Sequence, residues 1–200
     1  MTGILATSAR RKVGLLGGSF NPAHEGHLYI SQQALDRLGL DELWWMVSPQ
    51  NPLKSETGMA PFAARLSGAK GVANVDERIY VTDIETKLNT RYTVDTLAAL
   101  QAKFPDLAFV WIIGADNLRQ MPRWKGWRDI FRSVPIAVFP RAPYSLRALN
   151  GRAARRFDTA RIPTTKASRL AEMPPPAWVF LRVPQHGQSA TRIRKQHGVS

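Results

Sequence analysis

Apolar positions along the chain fall into short strand-length runs separated by helical stripes. Residues 13–16 are an uninterrupted apolar run, and a helical pattern follows over residues 28–38 and stops at Gly39. Residues 42–48 predict a buried second strand, which ends in a loop carrying Pro49 and Pro52. Phe62, Ala63, Leu66 and Ala69 predict a helix over residues 61–72, weakened by Gly68 and Gly71. Residues 79–84 alternate as a third strand. Val94, Leu97, Ala98 and Leu100 give residues 93–104 one apolar helical face, with Pro105 beyond its end. Residues 107–113 are apolar throughout, as a central parallel strand should be. A short helix over 127–132, strands over 135–139 and 178–183, and a closing helix opening at 189–194 complete the pattern. From 141 to 176 the signal blurs: a basic stretch, helical over 145–156, leads to Pro174-Pro175-Pro176, and a mobile or variable segment is expected. Strands alternating with helices predict βαβ units and a parallel sheet, an α/β fold.

Two hundred residues fit one such domain, placed at 12–200, behind a flexible extension of residues 1–11. The apolar fraction of 44% excludes a disordered chain, and no apolar run reaches the roughly 18 residues of a membrane span. The charges of Arg10, Arg11 and Lys12 follow the first apolar residues instead of preceding them, unlike a secretory leader. Cysteine is absent, so neither a disulfide framework nor a thiolate metal site is expected, and the cytoplasm is the expected compartment. The net charge of +13 raises nucleic-acid binding as an alternative. The basic residues are spread out, however, with the densest group at Arg141, Arg147, Arg152, Arg155, Arg156, Arg161, Lys166 and Arg169. A solvated basic surface accounts for most of them, so no specific nucleic-acid partner is expected.

The chemistry concentrates in Gly17-Gly18-Ser19-Phe20-Asn21-Pro22-Ala23-His24-Glu25-Gly26-His27, between the first strand and a helix beginning near Gly26. Glycines at a strand end permit a sharp turn and bare amides, and the helix start adds free N–H groups and a positive dipole end. His24 and His27 stand at that entrance, so the stretch predicts a site for nucleotide phosphates. Histidines at i and i+3 without a third ligand make a poor zinc site, and no metal ligand set is expected. Capping or packing is the plainer alternative for each histidine.

The same eleven residues resemble the signature of the nucleotidyltransferase superfamily, and the chain from Val13 to Arg194 resembles bacterial nicotinate-nucleotide adenylyltransferases. The resemblance implies a Rossmann-like doubly wound parallel sheet with helices on both faces, in a single domain. It implies transfer of AMP from ATP to nicotinate mononucleotide, giving deamido-NAD and pyrophosphate, with Mg²⁺ on the ATP phosphates. His24, His27, Lys54 and Arg194 would then serve catalysis. Gly17, Gly18, Ser19, Phe20, Gly114, Asp116, Ser189 and Thr191 would hold ATP. Thr93, Trp124, Lys125 and Arg141 would hold the mononucleotide, Trp124 by stacking on the pyridine ring. Two departures stand in the second signature, Ser189-Ala190-Thr191-Arg192-Ile193-Arg194: Gln188 replaces an isoleucine and Ala190 a serine. Lys125 stands where relatives often carry tyrosine. An acceptor such as nicotinamide mononucleotide or phosphopantetheine remains the rival within the same superfamily.

Overall fold

The computed structural model describes residues 10–49, 58–141 and 145–184. Among these, strands β1 (Arg11–Gly18), β2 (Glu42–Val47), β3 (Ile79–Thr82), β4 (Leu107–Gly114), β5 (Ile136–Phe139), β6 (Arg161–Ile162) and β7 (Trp178–Phe180) form one sheet. Its order is β3-β2-β1-β4-β5-β7-β6, and every pairing is parallel. The intervening helices are α1 (Glu25–Leu38), α2 (Phe62–Ala73), α3 (Ile84–Lys87), α4 (Thr93–Lys103), α5 (Ala115–Gln120), α6 (Trp127–Ser133), α7 (Ser145–Leu149) and α8 (Arg152–Arg156).

The chain lays down β1, β2 and β3 outward in one direction, then crosses back to set β4 on the other side of β1. Strand order therefore reverses between β1 and β4, and the crevice this opens at the strands' carboxyl ends is where doubly wound sheets bind ligands. Successive strand residues point to opposite faces, and both faces are covered. Val13, Leu15, Phe109, Trp111 and Ile113 enter one core beneath α4 and α6. Leu43, Trp45, Val110 and Ile112 enter the other, beneath α1 and α2. Burial on both sides explains why β2 and β4 read as continuous apolar runs.

Helix α1 buries Ser31, Ala34, Leu35 and Leu38, one stripe at i, i+3, i+4 and i+7, and Gly39 ends it in a left-handed conformation (φ 60°). Gly68 and Gly71 do not break α2, because they face outward, with no atom within 4 Å of where a Cβ would sit.

Within 141–176, the helical stretch expected over 145–156 is present as α7 and α8, and the edge strand β6 and a 3₁₀ segment, Thr164–Glu172, follow it where no element was read from the sequence. That segment buries Ala167 and Leu170, three residues apart, against the α1 side of the sheet, with Ala171 beside them. The three buried positions lie at i, i+3 and i+4, but two of them are alanines set among Thr, Lys, Ser and Arg, so the stripe is too short and too weakly apolar to stand out in the sequence. Residues 189–194, the expected closing helix, and most of the expected extension 1–11 lie outside the described residues.

Candidate active site

Five segments emerge at the carboxyl edge of the sheet. They are the turn after Gly18, Ser48 after β2, α3 after β3, Asp116 after β4 and Arg141 after β5. Register brings them level: Gly18 pairs with Val47, and Gly114 with Phe139.

Gly17 and Gly18 are the last residues of β1, paired with Met46 and Val47, and the left-handed residue is Phe20 (φ 45°). The turn therefore comes two residues later than the glycines suggested. Gly17 is needed for a different reason: a Cβ there would lie 2.8 Å from the buried ring of Trp111. Gly17→Ala is expected to cost about 1–3 kcal/mol of stability through overpacking, read from the urea midpoint; an unchanged midpoint would remove the contact as the reason for glycine.

Phe20 is buried and stacks on Trp45 at 5.0 Å, with the His27 ring 4.8 Å away on the same side chain. This packing compensates a backbone conformation that a bulky residue seldom adopts. Asn21 ties the turn to the segment before α2: its Nδ2 donates to the Gly58 carbonyl, and its Oδ1 accepts from the Ala60 amide.

His24 is the N-cap of α1. Its Nδ1 accepts from the Gly26 N–H at 3.1 Å, and the His27 Nδ1 accepts from the His24 N–H at 3.2 Å, a reciprocal capping box built from imidazoles. A ring nitrogen that accepts carries no proton, so each neutral ring holds its proton at Nε2, on the side away from the helix. The rings lie 3.9 Å apart between centroids. Below them, the Trp45 Nε1–H donates to the Ser31 hydroxyl at 2.7 Å, and Ser31 donates to the His27 carbonyl at 2.8 Å. The capping and functional readings of the histidines are thus compatible: Nδ1 fixes the helix start, and the tautomer it enforces makes Nε2–H a donor.

Across the crevice, Asp116 and Arg141 meet in an ion pair, Oδ2 to Nη1 at 3.0 Å. Asp116 Oδ1 is buried without a hydrogen-bond partner among the described residues. A Cβ on Gly114 would collide with that oxygen, so glycine here lets the carboxylate fold back over the strand end. Glu85 lies at the mouth of the β2–β3 side. Burial pushes its carboxyl above the usual carboxylate range, and a hydrogen bond to Ser48 opposes that rise.

Of the predicted acceptor residues, Thr93, Trp124 and Lys125 lie on segments joined to one another, whereas Arg141 is the partner of Asp116. Lys125 Nζ reaches Asp95 Oδ2 at 2.9 Å and sits 4.7 Å above the Tyr92 ring. This joins the start of α4, where Thr93 lies, to the loop carrying Trp124. The indole of Trp124 is half-buried against the α4–α6 core, and its N–H is buried with no partner among the described residues. Lys54, Ser189, Thr191 and Arg194 lie outside the described residues. Sequence reasoning passed over Arg65, buried on the first turn of α2, because nothing in its spacing marks it as part of a site; Asn21 lies within the histidine stretch, but its tie to the segment before α2 has no local signal.

A doubly wound parallel sheet with an imidazole-capped helix at its switch point defines a nucleotide-binding α/β protein. The family model described as Cytidylyltransferase-like matches residues 15–196. Among curated proteins, the chain is 55% identical to the probable nicotinate-nucleotide adenylyltransferase of Parvibaculum lavamentivorans, over 94% of each chain. It is 49% identical to that of Caulobacter sp. strain K31, over 92% of this chain and 96% of the relative. The chain belongs to the cytidylyltransferase-like family and, within it, to the nicotinate-nucleotide adenylyltransferases. Among solved structures, Plasmodium falciparum nicotinic acid mononucleotide adenylyltransferase complexed with NaAD shares the fold, with a TM-score of 0.68 over 92% of this chain and 83% of that one. Its sequence identity is 16%, so that likeness speaks for the fold alone.

Proposed function

We propose that this chain transfers the AMP moiety of ATP to nicotinate mononucleotide, forming deamido-NAD and pyrophosphate. The observation that carries the reading is the imidazole capping box: it directs two Nε2–H donors away from the α1 start, beside a turn of backbone amides. Relatives sharing about half their residues over nine-tenths of the chain carry the name of this activity, which supports the choice of acceptor.

A phosphate oxygen of the mononucleotide attacks the α-phosphorus of ATP in line; the bond from that phosphorus to the bridging oxygen breaks, and pyrophosphate leaves. His24 and His27 donate to phosphate oxygens as charge shifts toward the leaving group. The Ser19 and Phe20 amides and the positive end of α1 hold the same oxygens. Lys54 and Arg194 add charge, Ser189 and Thr191 add donors, and Gly114 and Asp116 receive the adenosine side, with Asp116 accepting from ribose hydroxyls. Thr93, Trp124, Lys125 and Arg141 serve the mononucleotide. Amides and imidazoles suit phosphate oxygens better than a bare divalent ion, so Mg²⁺ is proposed to arrive with ATP, held by its phosphates and water. When bound it offsets the phosphates' charge. Among the described residues no helix is long and apolar enough to cross a membrane, and a cytoplasmic location is part of the same proposal.

Pyrophosphate release from ATP with nicotinate mononucleotide, nicotinamide mononucleotide or phosphopantetheine tests the reading. The highest kcat/KM is expected with nicotinate mononucleotide; a higher value for either other acceptor would overturn it. Trp124→Ala is expected to raise KM for the mononucleotide by roughly tenfold, the value of a stacked ring of about 1–1.5 kcal/mol. KM for ATP should stay within about twofold by the same reasoning, and equal rises in both would remove the stacking role.

A further inference from the structure

Arg65 is the most deeply buried cation among the described residues, 4% exposed, and its hydrogen bonds to described residues go to main-chain carbonyls. Nε donates to the Ala60 carbonyl at 3.0 Å. Nη1 donates to Ser19 at 2.6 Å and to Ser48 at 2.8 Å, and Nη2 donates to Pro49 at 2.8 Å. The guanidinium carbon lies 5.3 Å from the Phe62 ring centre. No carboxylate pairs with it among the described residues. One planar group thus joins three segments: the turn after β1, the exit of β2 and the start of α2.

We propose that Arg65 is a positioning residue for ATP, orienting the amides of the turn after β1 and holding behind them a positive charge that no carboxylate among the described residues offsets. This rests on the adenylyltransferase reading and adds a residue to it. In a trans peptide the C=O and N–H point in opposite directions. The Ser19 carbonyl is drawn back to Arg65, so the Phe20 N–H of the same peptide faces the other way. The Gly18 carbonyl is likewise held, by the Ser48 amide at 2.9 Å, which turns the Ser19 N–H outward. Two consecutive amides, fixed from behind and joined at a left-handed Phe20, form an anion-binding concavity of the nest type. Phosphate oxygens would meet those amides, while the guanidinium contributes its field from the far side of the peptides.

An ordinary buried arginine is paired with a carboxylate, which cancels its field. Here the dipoles of four carbonyls solvate the cation and leave its net charge in place. Burial draws its pKa downward, as expected for a cation in so dry a position, and no anion among the described residues opposes it. The geometry is also specific to guanidinium. A lysine ammonium is a point charge that cannot span the Ser19, Ser48 and Pro49 carbonyls in one plane.

The test compares the wild type with Arg65→Lys and Arg65→Met, using pyrophosphate release for turnover and isothermal titration of Mg·ATP without acceptor for binding. Wild-type turnover of ATP with nicotinate mononucleotide establishes the underlying reading; its absence would defeat that reading and this inference with it. Given wild-type turnover, Arg65→Lys is expected to weaken Mg·ATP binding at least about tenfold, the scale of one or two lost charge-assisted hydrogen bonds. KM for the mononucleotide is expected to stay within about twofold. Arg65→Met should weaken ATP binding further, because the charge goes as well; if it does not fold, the lysine variant alone decides. A folded Arg65→Lys with wild-type ATP affinity would overturn the proposal. So would equal losses for both substrates, which would mark Arg65 as a structural tie and no more.

Discussion

Replacing His27 with asparagine is expected to lower kcat by roughly 10²–10³, the value of one lost transition-state donor, while leaving the unfolding midpoint nearly unchanged. The choice of asparagine follows from the capping box. The His27 Nδ1 accepts from the His24 N–H, and an asparagine Oδ1 occupies a similar position relative to the backbone, so the cap can be kept. What asparagine lacks is any atom at the position of Nε2. Alanine would remove the cap as well, at a cost of about 1 kcal/mol to the helix, and would confuse the two roles. Glutamine gives the opposite substitution: its amide reaches toward Nε2 but leaves the His24 amide without its acceptor. The asparagine variant should therefore be stable and slow, and the glutamine variant less stable but faster than asparagine. Steady-state turnover and urea denaturation on the pair separate these outcomes. A stable asparagine variant with near-normal kcat would show that His27 serves only as a cap.

The βαβ alternation was legible because both sheet faces are buried, which makes β2 and β4 continuous apolar runs and α1 a clean stripe. The histidine turn was legible as chemistry, yet its mechanics were not. Histidine is an uncommon N-cap, so nothing in the composition marked Glu25 as the first helical residue or His27 as His24's partner. The glycines looked like the turn itself. Gly17 instead yields space to Trp111, a residue of the adjacent strand β4 that no local pattern reveals, and the left-handed position fell to Phe20 because Trp45 and His27 hold its ring. Arg65 is the extreme case. A charge on an amphipathic helix ordinarily faces water, and only the converging carbonyls of Ser19, Ser48, Pro49 and Ala60, from distant parts of the chain, make its burial favourable. The segment Thr164–Glu172 buries only Ala167, Leu170 and Ala171, a stripe with a single large apolar residue, which is too weak a signal to read locally. What the sequence conveyed was local periodicity and donor chemistry; what it withheld was set by contacts between distant segments.

Trp45→Ala is expected to destabilise the fold by about 3–5 kcal/mol and to impair turnover as well, although Trp45 does not face the crevice as a ligand. Its indole is fully buried in the α1–α2 core, so truncation leaves a large void in one of the two layers. The same ring is the stacking partner of Phe20 at 5.0 Å and an edge contact for His27 at 5.9 Å. Without it, the left-handed conformation at Phe20 loses the packing that offsets its strain, a cost of order 1–3 kcal/mol for such a residue. The turn that carries the Ser19 and Phe20 amides should then relax, and catalysis should fall with it. Trp45→Phe divides the contributions. Phenylalanine keeps a stacking face but gives up the Nε1–H that the Ser31 hydroxyl accepts, while Ser31 can go on donating to the His27 carbonyl. One lost neutral hydrogen bond and a partial void should cost about 1–3 kcal/mol. If ring stacking is what holds the turn, turnover of this variant should stay within a few-fold of wild type, by the scale of a single small packing change. Urea midpoints and kcat/KM measured on both variants give the comparison. Should Trp45→Phe lose as much turnover as Trp45→Ala, the relay from indole through Ser31 to the His27 carbonyl, and not the aromatic stack, would be what sets the imidazoles.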